Sequence, residues 1–183
     1  MSVGLLIVDI QNDYFPGGKW ELDGSEKAEN VAGNLLTFFR EHKMPVVHIQ
    51  HVAKADSPFF VPGTPGVEIR PLVKPLPNET LIQKNFPNAF RETKLLDHLR
   101  SQGIDQLVIT GMMTHMCVDA AARAATDFGF ECRIAQDGCA TRTLNLNDKT
   151  VPATEVHAAF LAALNGAYGR VLPADSIMKE LQK

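Results

Sequence analysis

The sequence predicts an α/β fold: a three-layer α/β/α sandwich around an open, mainly parallel sheet of about six strands. One domain spanning residues 1–183 accounts for the whole chain. Three observations carry this. Short β-branched runs alternate with amphipathic stretches, and strands joined through a helix pair in parallel because a parallel connection needs a crossover. The strands read as unbroken apolar runs, as strands covered on both faces do. The length of 183 residues falls within the roughly 100–200 residues of a single domain, and no linker or internal repeat divides it.

The elements follow in order. Val3–Asp9 is an apolar run ending in a carboxylate. Asp23-Gly24-Ser25-Glu26 reads as a helix start, an acidic cap with a glutamate three residues on. The helix then carries Val31, Leu35, Leu36, Phe38 and Phe39 at helical spacing to about His42. Pro45–Gln50 is a second strand and Leu81–Gln83 a short third. Thr93–Gln102 is a helix with Leu95, Leu96 and Leu99 inward, stopped by Gly103. Gln106–Thr110 is the fourth strand, Met116–Phe128 a helix rich in small residues, and Phe130–Ala135 the fifth strand. Thr154–Asn165 is a helix, Arg170–Leu172 a brief sixth strand, and Ala174–Leu181 a closing helix. One segment breaks the rhythm: Ala53–Asn78 contains Pro58, Pro62, Pro65, Pro71, Pro75 and Pro77 and no period. A loop of that length inside a compact domain is expected to be a lid or binding loop.

Composition narrows the function. Hydrophobic residues make up 45% and charged residues 21%, a globular balance that excludes a disordered chain. No apolar run approaches the ~20 residues of a membrane helix. The opening run Leu5-Leu6-Ile7-Val8 has no basic region before it and no small-residue cleavage site after it, so it is not read as a signal peptide. The net charge of -3 and pI of about 6.1 argue against binding a phosphate backbone, which uses basic patches. Cys117, Cys132 and Cys139 are read as reduced thiols of a cytoplasmic protein.

In open α/β sheets ligands bind beyond the carboxyl ends of the strands. Asp9-Ile10-Gln11-Asn12-Asp13 follows the first strand, Lys84-Asn85-Phe86 the third, Gly111 to Cys117 the fourth, and Asp137-Gly138-Cys139 the fifth. A carboxylate, an amine and a thiol therefore converge on one edge. Cys117 falls in the first turn of its helix, where free amide groups favour a thiolate, and Lys84 beside it is expected to lower the thiol pKa further. Asp9 is placed to take the thiol proton and return it to a leaving amine. Against this, cysteine is often a small buried hydrophobe. Cys139, also at a strand end, competes with Cys117 as nucleophile. Cys132 lies inside an apolar strand and reads as core.

Together these residues resemble the isochorismatase-like cysteine hydrolases, which include nicotinamidases, ureidoacrylate hydrolases and carbamoylsarcosine-type amidohydrolases. The resemblance is carried by Leu5 to Phe15, by Lys84-Asn85-Phe86-Pro87-Asn88-Ala89-Phe90, and by Val108 to Val118. It implies a catalytic triad of Asp9, Lys84 and Cys117, a cis peptide between Met112 and Met113, and an oxyanion hole made by the amides of Met113 and Cys117. It implies hydrolysis of a small amide, ureido or carbamoyl compound through a thioester, with no cofactor. A vinyl-ether hydrolase, or a non-catalytic oligomeric binding protein on the same scaffold, is the alternative.

Family nicotinamidases hold a divalent ion with an Asp-x-His pair after the second strand. Here His48-Ile49-Gln50-His51 stands in its place. His48 and His51, three apart on a strand, face opposite sides, so no metal site is expected. Phe15, Trp20, His51, Phe86, Thr114 and His115 are candidate substrate contacts, and Phe59, Phe60 and Phe90 stand near the same mouth. His157 is undecided. Neighbouring subunits often complete the pocket in the resembled family, so a homo-oligomer is expected, with Ala53–Asn78 a candidate interface. A small molecule is the expected partner, with no nucleic acid and no membrane. Two rival folds fail on local chemistry. A haloacid-dehalogenase-type phosphatase needs an acid at Gln11, and a dinucleotide-binding fold needs glycines after the first strand that Asp9–Asp13 lacks.

Overall fold

The computed structural model describes residues 2–182. In chain order the elements are β1 (Ser2–Val8), α1 (Ser25–Glu41), β2 (Val46–His51), β3 (Thr80–Lys84), α2 (Leu95–Ser101) and β4 (Ile104–Met112). They continue with a π-helical turn (Thr114–Val118), α3 (Asp119–Asp127), β5 (Glu131–Ala140), a hairpin of β6 (Leu144–Leu146) and β7 (Lys149–Val151), α4 (Ala153–Leu164), β8 (Arg170–Leu172) and α5 (Ala174–Leu181). The main sheet has six strands in the order β3-β2-β1-β4-β5-β8, all neighbours parallel.

The unbroken apolar reading of β1 is explained by its two buried faces. Leu5 and Ile7 join one core with Leu35, Leu36 and Phe39 of α1 and Ile177 of α5. Leu6 and Val8, pointing the other way, join a second core with Leu95 and Leu99 of α2, Ala121, Ala122 and Ala125 of α3, and Leu161 and Leu164 of α4. Each fully buried leucine contributes about 1.5–3 kcal/mol. The alanines of α3 let that helix lie close to the sheet. Among the described residues no helix is long and apolar enough to cross a membrane.

The structure lengthens some expected elements and revises others. α1 begins at Ser25 with Gly24 at its N-cap and no side-chain cap. Asp23 does not cap it; its N–H instead donates to the Thr141 carbonyl at 2.9 Å. β5 runs on to Ala140 because a register shift against β4, between Ile109 and Gly111, absorbs the polar residues around Asp137. The three-residue strands β6 and β7 pair antiparallel and are too short to leave a period in the sequence.

The proline-rich segment is a fastened strap. Phe60, Val67 and Val73 are buried in it, and Pro65–Val67 and Pro71–Val73 form short 3₁₀ turns. Gln11 donates to the carbonyls of His51 and Val67, each at 2.8 Å, and accepts from the His51 N–H at 2.8 Å. The Asn12 side chain donates to Pro65 O at 2.8 Å. The Asp13 carboxylate accepts from the Phe60 N–H at 2.7 Å and the Lys19 N–H at 3.2 Å. The polar residues after β1 thus serve as staples, and Gly66 is required there: a Cβ on it would stand 2.3 Å from Asp13 Oδ1.

Candidate active site

The strand order reverses between β1 and β4, since chain order runs outward from β1 to β2 and β3 on one side and to β4, β5 and β8 on the other. Such a reversal opens a crevice at the carboxyl ends of the two central strands. Asp9 leaves β1 with φ 50°, a turn uncommon outside glycine and enriched in aspartate. Opposite it, Val8 pairs with Gly111. Gly111 has φ +130°, and a Cβ there would stand 2.0 Å from the Val8 carbonyl oxygen. Glycine alone lets β4 end this close to β1. The next peptide, Met112–Met113, is cis. The π-helical turn then closes with the Val118 N–H on Met113 O at 3.2 Å and runs directly into α3. Cys117 sits in this turn, ahead of the α-helix itself.

Lys84, at the end of β3, joins the two. Its Nζ lies 2.7 Å from Asp9 Oδ2, with both side chains wholly buried. Its three N–H groups are shared between Asp9 and three further acceptors, Phe86 O at 3.1 Å, Cys117 Sγ at 3.3 Å and His51 Nδ1 at 3.0 Å. Asp9 also faces the Cys117 thiol, whose pKa a side-chain hydrogen bond with Asp9 helps to raise. Asp9, His51 and Cys117 present an oxygen, a nitrogen and a sulfur within 4.8 Å of one another. The three triad residues named from the sequence are therefore one contiguous group, and Cys117 is only 3% exposed.

The electrostatics correct one expectation. Burial, and then the Asp9 carboxylate, push the Cys117 thiol well above its ordinary pKa, and Lys84 opposes them without prevailing. This direction favours the thiol form of Cys117 over the thiolate. Burial works against the charge of Lys84, but Asp9 and the Cys117 sulfur outweigh it and hold the ammonium above its ordinary pKa. Cys139 is pushed up to about 12, mainly by burial and against a hydrogen bond from Gly111. Burial likewise pushes Cys132 up to about 11. Neither thiol belongs to the Asp9 cluster, and Cys139 pairs with Gly111 inside β5.

The other candidates divide. His51 is brought to Lys84. Phe86 contributes through its carbonyl, while the Arg91 guanidinium covers its ring at 3.7 Å. Trp20 stacks on Phe59, centroids 4.7 Å apart. His115 bonds the Thr141 hydroxyl and meets the Phe160 ring edge-on at 5.8 Å. Thr114 is wholly buried and tied to Ala140 O and to His157 Nδ1 at 2.9 Å, which makes it part of the scaffold. Phe15 is built into the core under the Arg70 guanidinium at 4.2 Å. Asp137, expected at the mouth, accepts from the first N–H of α5 at 2.8 Å. A cavity of about 320 Å³ lined by Lys27, Cys139, Thr141, Thr154 and His157 flanks this region. Asp9, Lys84 and Cys117 do not line it; they gather at the crevice between β1 and β4. Sequence reasoning missed Arg142, which follows the true end of β5 and stacks on Trp20 at 4.4 Å.

The profile of the isochorismatase domain matches residues 3–176. The chain belongs to the isochorismatase family. It is 48% identical over 180 residues to the isochorismatase family protein YddQ of Bacillus subtilis, covering 98% of this chain and 100% of that one. A crystal structure from Oleispira antarctica, assigned to the isochorismatase hydrolases, matches with a TM-score of 0.94 at 45% identity, over 97% of this chain and 96% of that chain. The maleamate amidohydrolase of Pseudomonas putida is 26% identical over 195 residues, 97% of this chain and 86% of its own length. The buried group of Asp9, Lys84 and Cys117 is consistent with a cysteine-hydrolase triad, and the chain is an isochorismatase-family hydrolase.

A metal centre of the nicotinamidase type does not fit the residues of this isochorismatase domain. Among the described residues the one group of three metal-ligating side chains is Asp9, His51 and Cys117. The Lys84 ammonium stands 2.7, 3.0 and 3.3 Å from them, in the place a bound cation would take. His48 is turned away and pairs with Glu79 at 2.9 Å.

Proposed function

We propose that the protein is a cysteine hydrolase that cleaves the C–N bond of a small amide, ureido or carbamoyl compound through a thioester on Cys117. The observation that carries this is a buried thiol beside a buried carboxylate, with a lysine donating to both. Cys117 is buried, and Asp9 is the carboxyl group beside it that can take its proton. As the sulfur attacks the carbonyl carbon, the proton passes to Asp9 and the carbonyl oxygen becomes an oxyanion. The amide of Met113, just before the π-turn, and that of Cys117, inside it, are the proposed donors to this oxyanion, and such donors are worth about 10²–10³ in rate. The C–N bond then breaks, and the departing amine takes the proton from Asp9. A water enters, gives a proton to Asp9 and attacks the thioester. The acid is released and Cys117 recovers its proton.

Lys84 remains charged throughout. Its bonds to His51 Nδ1 and Phe86 O hold the ammonium where it offsets negative charge, first on Asp9 and then on sulfur. The maleamate amidohydrolase relative supports a C–N substrate, since its name records hydrolysis of an amide.

The experiment is ammonia release from a panel of small primary amides and ureido compounds, with acid-quenched protein weighed by mass spectrometry. The expected result is turnover of at least one member with its acyl mass on the Cys117 peptide. Turnover with the adduct elsewhere, or turnover that survives in Cys117→Ala, overturns the proposal.

A further inference from the structure

We propose that His157 is a positioning residue for the hydrolysis: from α4 it fixes the turn that carries the oxyanion amides of Met113 and Cys117, acting through the Thr114 hydroxyl. This rests on the hydrolase reading above. Thr114 follows Met113 directly, precedes Cys117 in the same turn, and is wholly buried. Its Oγ1 meets two fixed partners, Ala140 O at 3.2 Å and His157 Nδ1 at 2.9 Å. A hydroxyl carries one hydrogen, so with that hydrogen on Ala140 O the oxygen accepts from the ring N–H. Two partners at fixed places hold the Thr114 side chain in one rotamer, and the peptide units on either side of it are held with it.

The turn is gripped from two layers of the fold. The end of β5 supplies Ala140 O for Thr114, and the next residue, Thr141, bonds His115. The other grip is His157, from α4. That helix is seated by Val156, Leu161 and Leu164, all buried, while His157 is half-buried. His157 stands on the walls of two cavities, of about 320 and 510 Å³. Packing therefore does little to hold its ring, and the bond to Thr114 is what ties helix to turn. Asp9, Lys84 and Cys117 line neither cavity, so His157 reaches the reaction through the turn and not through the crevice. The consequence is selective. Asp9 and Lys84 are held by β1 and β3, and their ion pair survives when the turn loosens. The backbone donors do not keep their aim. Such donors work because they are in place before charge develops, and a misplacement of about 1 Å costs up to about 10²-fold.

The test uses His157→Leu, His157→Asn and Thr114→Val, with melting temperatures as the folding check. Asn sets its amide at the same remove from the backbone as Nδ1 and bonds Thr114 in either sense, whereas Leu only fills the space. Three quantities are read: ammonia release from the best amide, the affinity of Cys117 for propionaldehyde, and the rate of Cys117 alkylation by iodoacetamide. Aldehyde affinity is measured as protection of Cys117 from alkylation. In the aldehyde adduct sulfur bonds the carbonyl carbon, the C=O π bond breaks, the oxygen becomes an oxyanion and the thiol proton passes to Asp9. Alkylation forms no oxyanion. The expected result is a loss of about tenfold in kcat, with KM little changed, and of about tenfold in aldehyde affinity, in both His157→Leu and Thr114→Val. His157→Asn stays close to the wild type, and alkylation is unchanged in all three. Unchanged kcat and aldehyde affinity in a folded His157→Leu overturn the proposal. An Asn variant as impaired as the Leu variant also overturns it, since the ring then only packs. So does alkylation that falls as far as turnover, which places the effect on the nucleophile. A wild type that hydrolyses no amide but binds the aldehyde in a His157-dependent way sustains the positioning role and sinks the amide reading instead.

Discussion

Lys84 Nζ lies 3.0 Å from His51 Nδ1, and an ammonium can only donate, so this nitrogen accepts and the ring proton belongs on Nε2. His51 is thereby a neutral positioning residue for the lysine. Burial, and then repulsion from Lys84, hold its pKa below the ordinary 6.5, against the pull of Asp9. Protonation therefore sets in below about pH 6.5 and turns the acceptor into a second cation facing Lys84. The expected outcome is an acid limb in the pH–rate profile below that value, shifted in His51→Gln, which accepts without titrating. His51→Leu should lose about tenfold in rate, the worth of one hydrogen bond to a charged group. An acid limb identical in His51→Gln counts against this role.

The upward push on the Cys117 thiol makes a kinetic prediction. Iodoacetamide should modify Cys117 slowly at pH 7, with a rate that climbs through pH 9, and Lys84→Met should slow it further because Lys84 is what opposes the upward shift. Peptide mapping after partial reaction checks which thiol reacts. Fast modification at pH 7, at the rate of a free thiolate, contradicts the neutral resting state.

Gly111→Ala places a methyl group 2.0 Å from the Val8 carbonyl oxygen at a φ of +130°. Neither backbone can yield without breaking the pairing of β1 with β4, so a loss of about 4 kcal/mol or more is expected, read as failure to fold or a large drop in melting temperature. Gly111→Ala with near-normal stability shows that the two strand ends are not held this close.

Glu79 carries a pH-dependent share of stability. Burial by itself raises its pKa, but the hydrogen bonds from Arg40, the Leu76 N–H and His48 overcome this and lower it from 4.5 to about 2. A carboxylate depressed on folding stabilises above its unfolded pKa and loses that contribution as pH falls through the folded one. Here the loss runs from about pH 4.5 down to about 2. Glu79→Gln should cost about 1–3 kcal/mol at pH 7 and flatten that acid slope, measured by urea unfolding at pH 7 and pH 3. A variant that keeps the slope places it in other carboxylates.

Much of the scaffold and the triad was legible because both rest on local signals. Two-faced burial wrote itself into Leu5-Leu6-Ile7-Val8, and Arg170–Leu172 and Ala174–Leu181 have the bounds read from the chain. Asp9 and Cys117 follow strands and Lys84 ends one, so strand ends alone placed them together. Arg142 was hidden because the extra residues around Asp137 sit inside β5, and a strand ended at Ala135 puts the mouth at the wrong residues. The strap was hidden for a different reason. Prolines announce a loop, but its burial depends on Gln11, Asn12 and Asp13 some 50 residues away, bonds such as that of Gln11 to Val67, |i−j| = 56. Lys84 lowers the Cys117 pKa as the sequence suggests, but the burial that outweighs it is not visible in the chain.

The central claim is that Asp9 carries the proton from Cys117 to the leaving amine, and Asp9→Asn tests it most directly. Asn keeps the size of the side chain and removes its basicity. The measurement is ammonia release from the best amide of the panel, wild type against Asp9→Asn, with melting temperatures recorded on the same preparations. The predicted result is a loss of at least about 10²-fold, the range of a general acid–base group, in a folded variant whose Cys117 is still present and unmodified. Near-normal turnover by a folded Asp9→Asn contradicts the account.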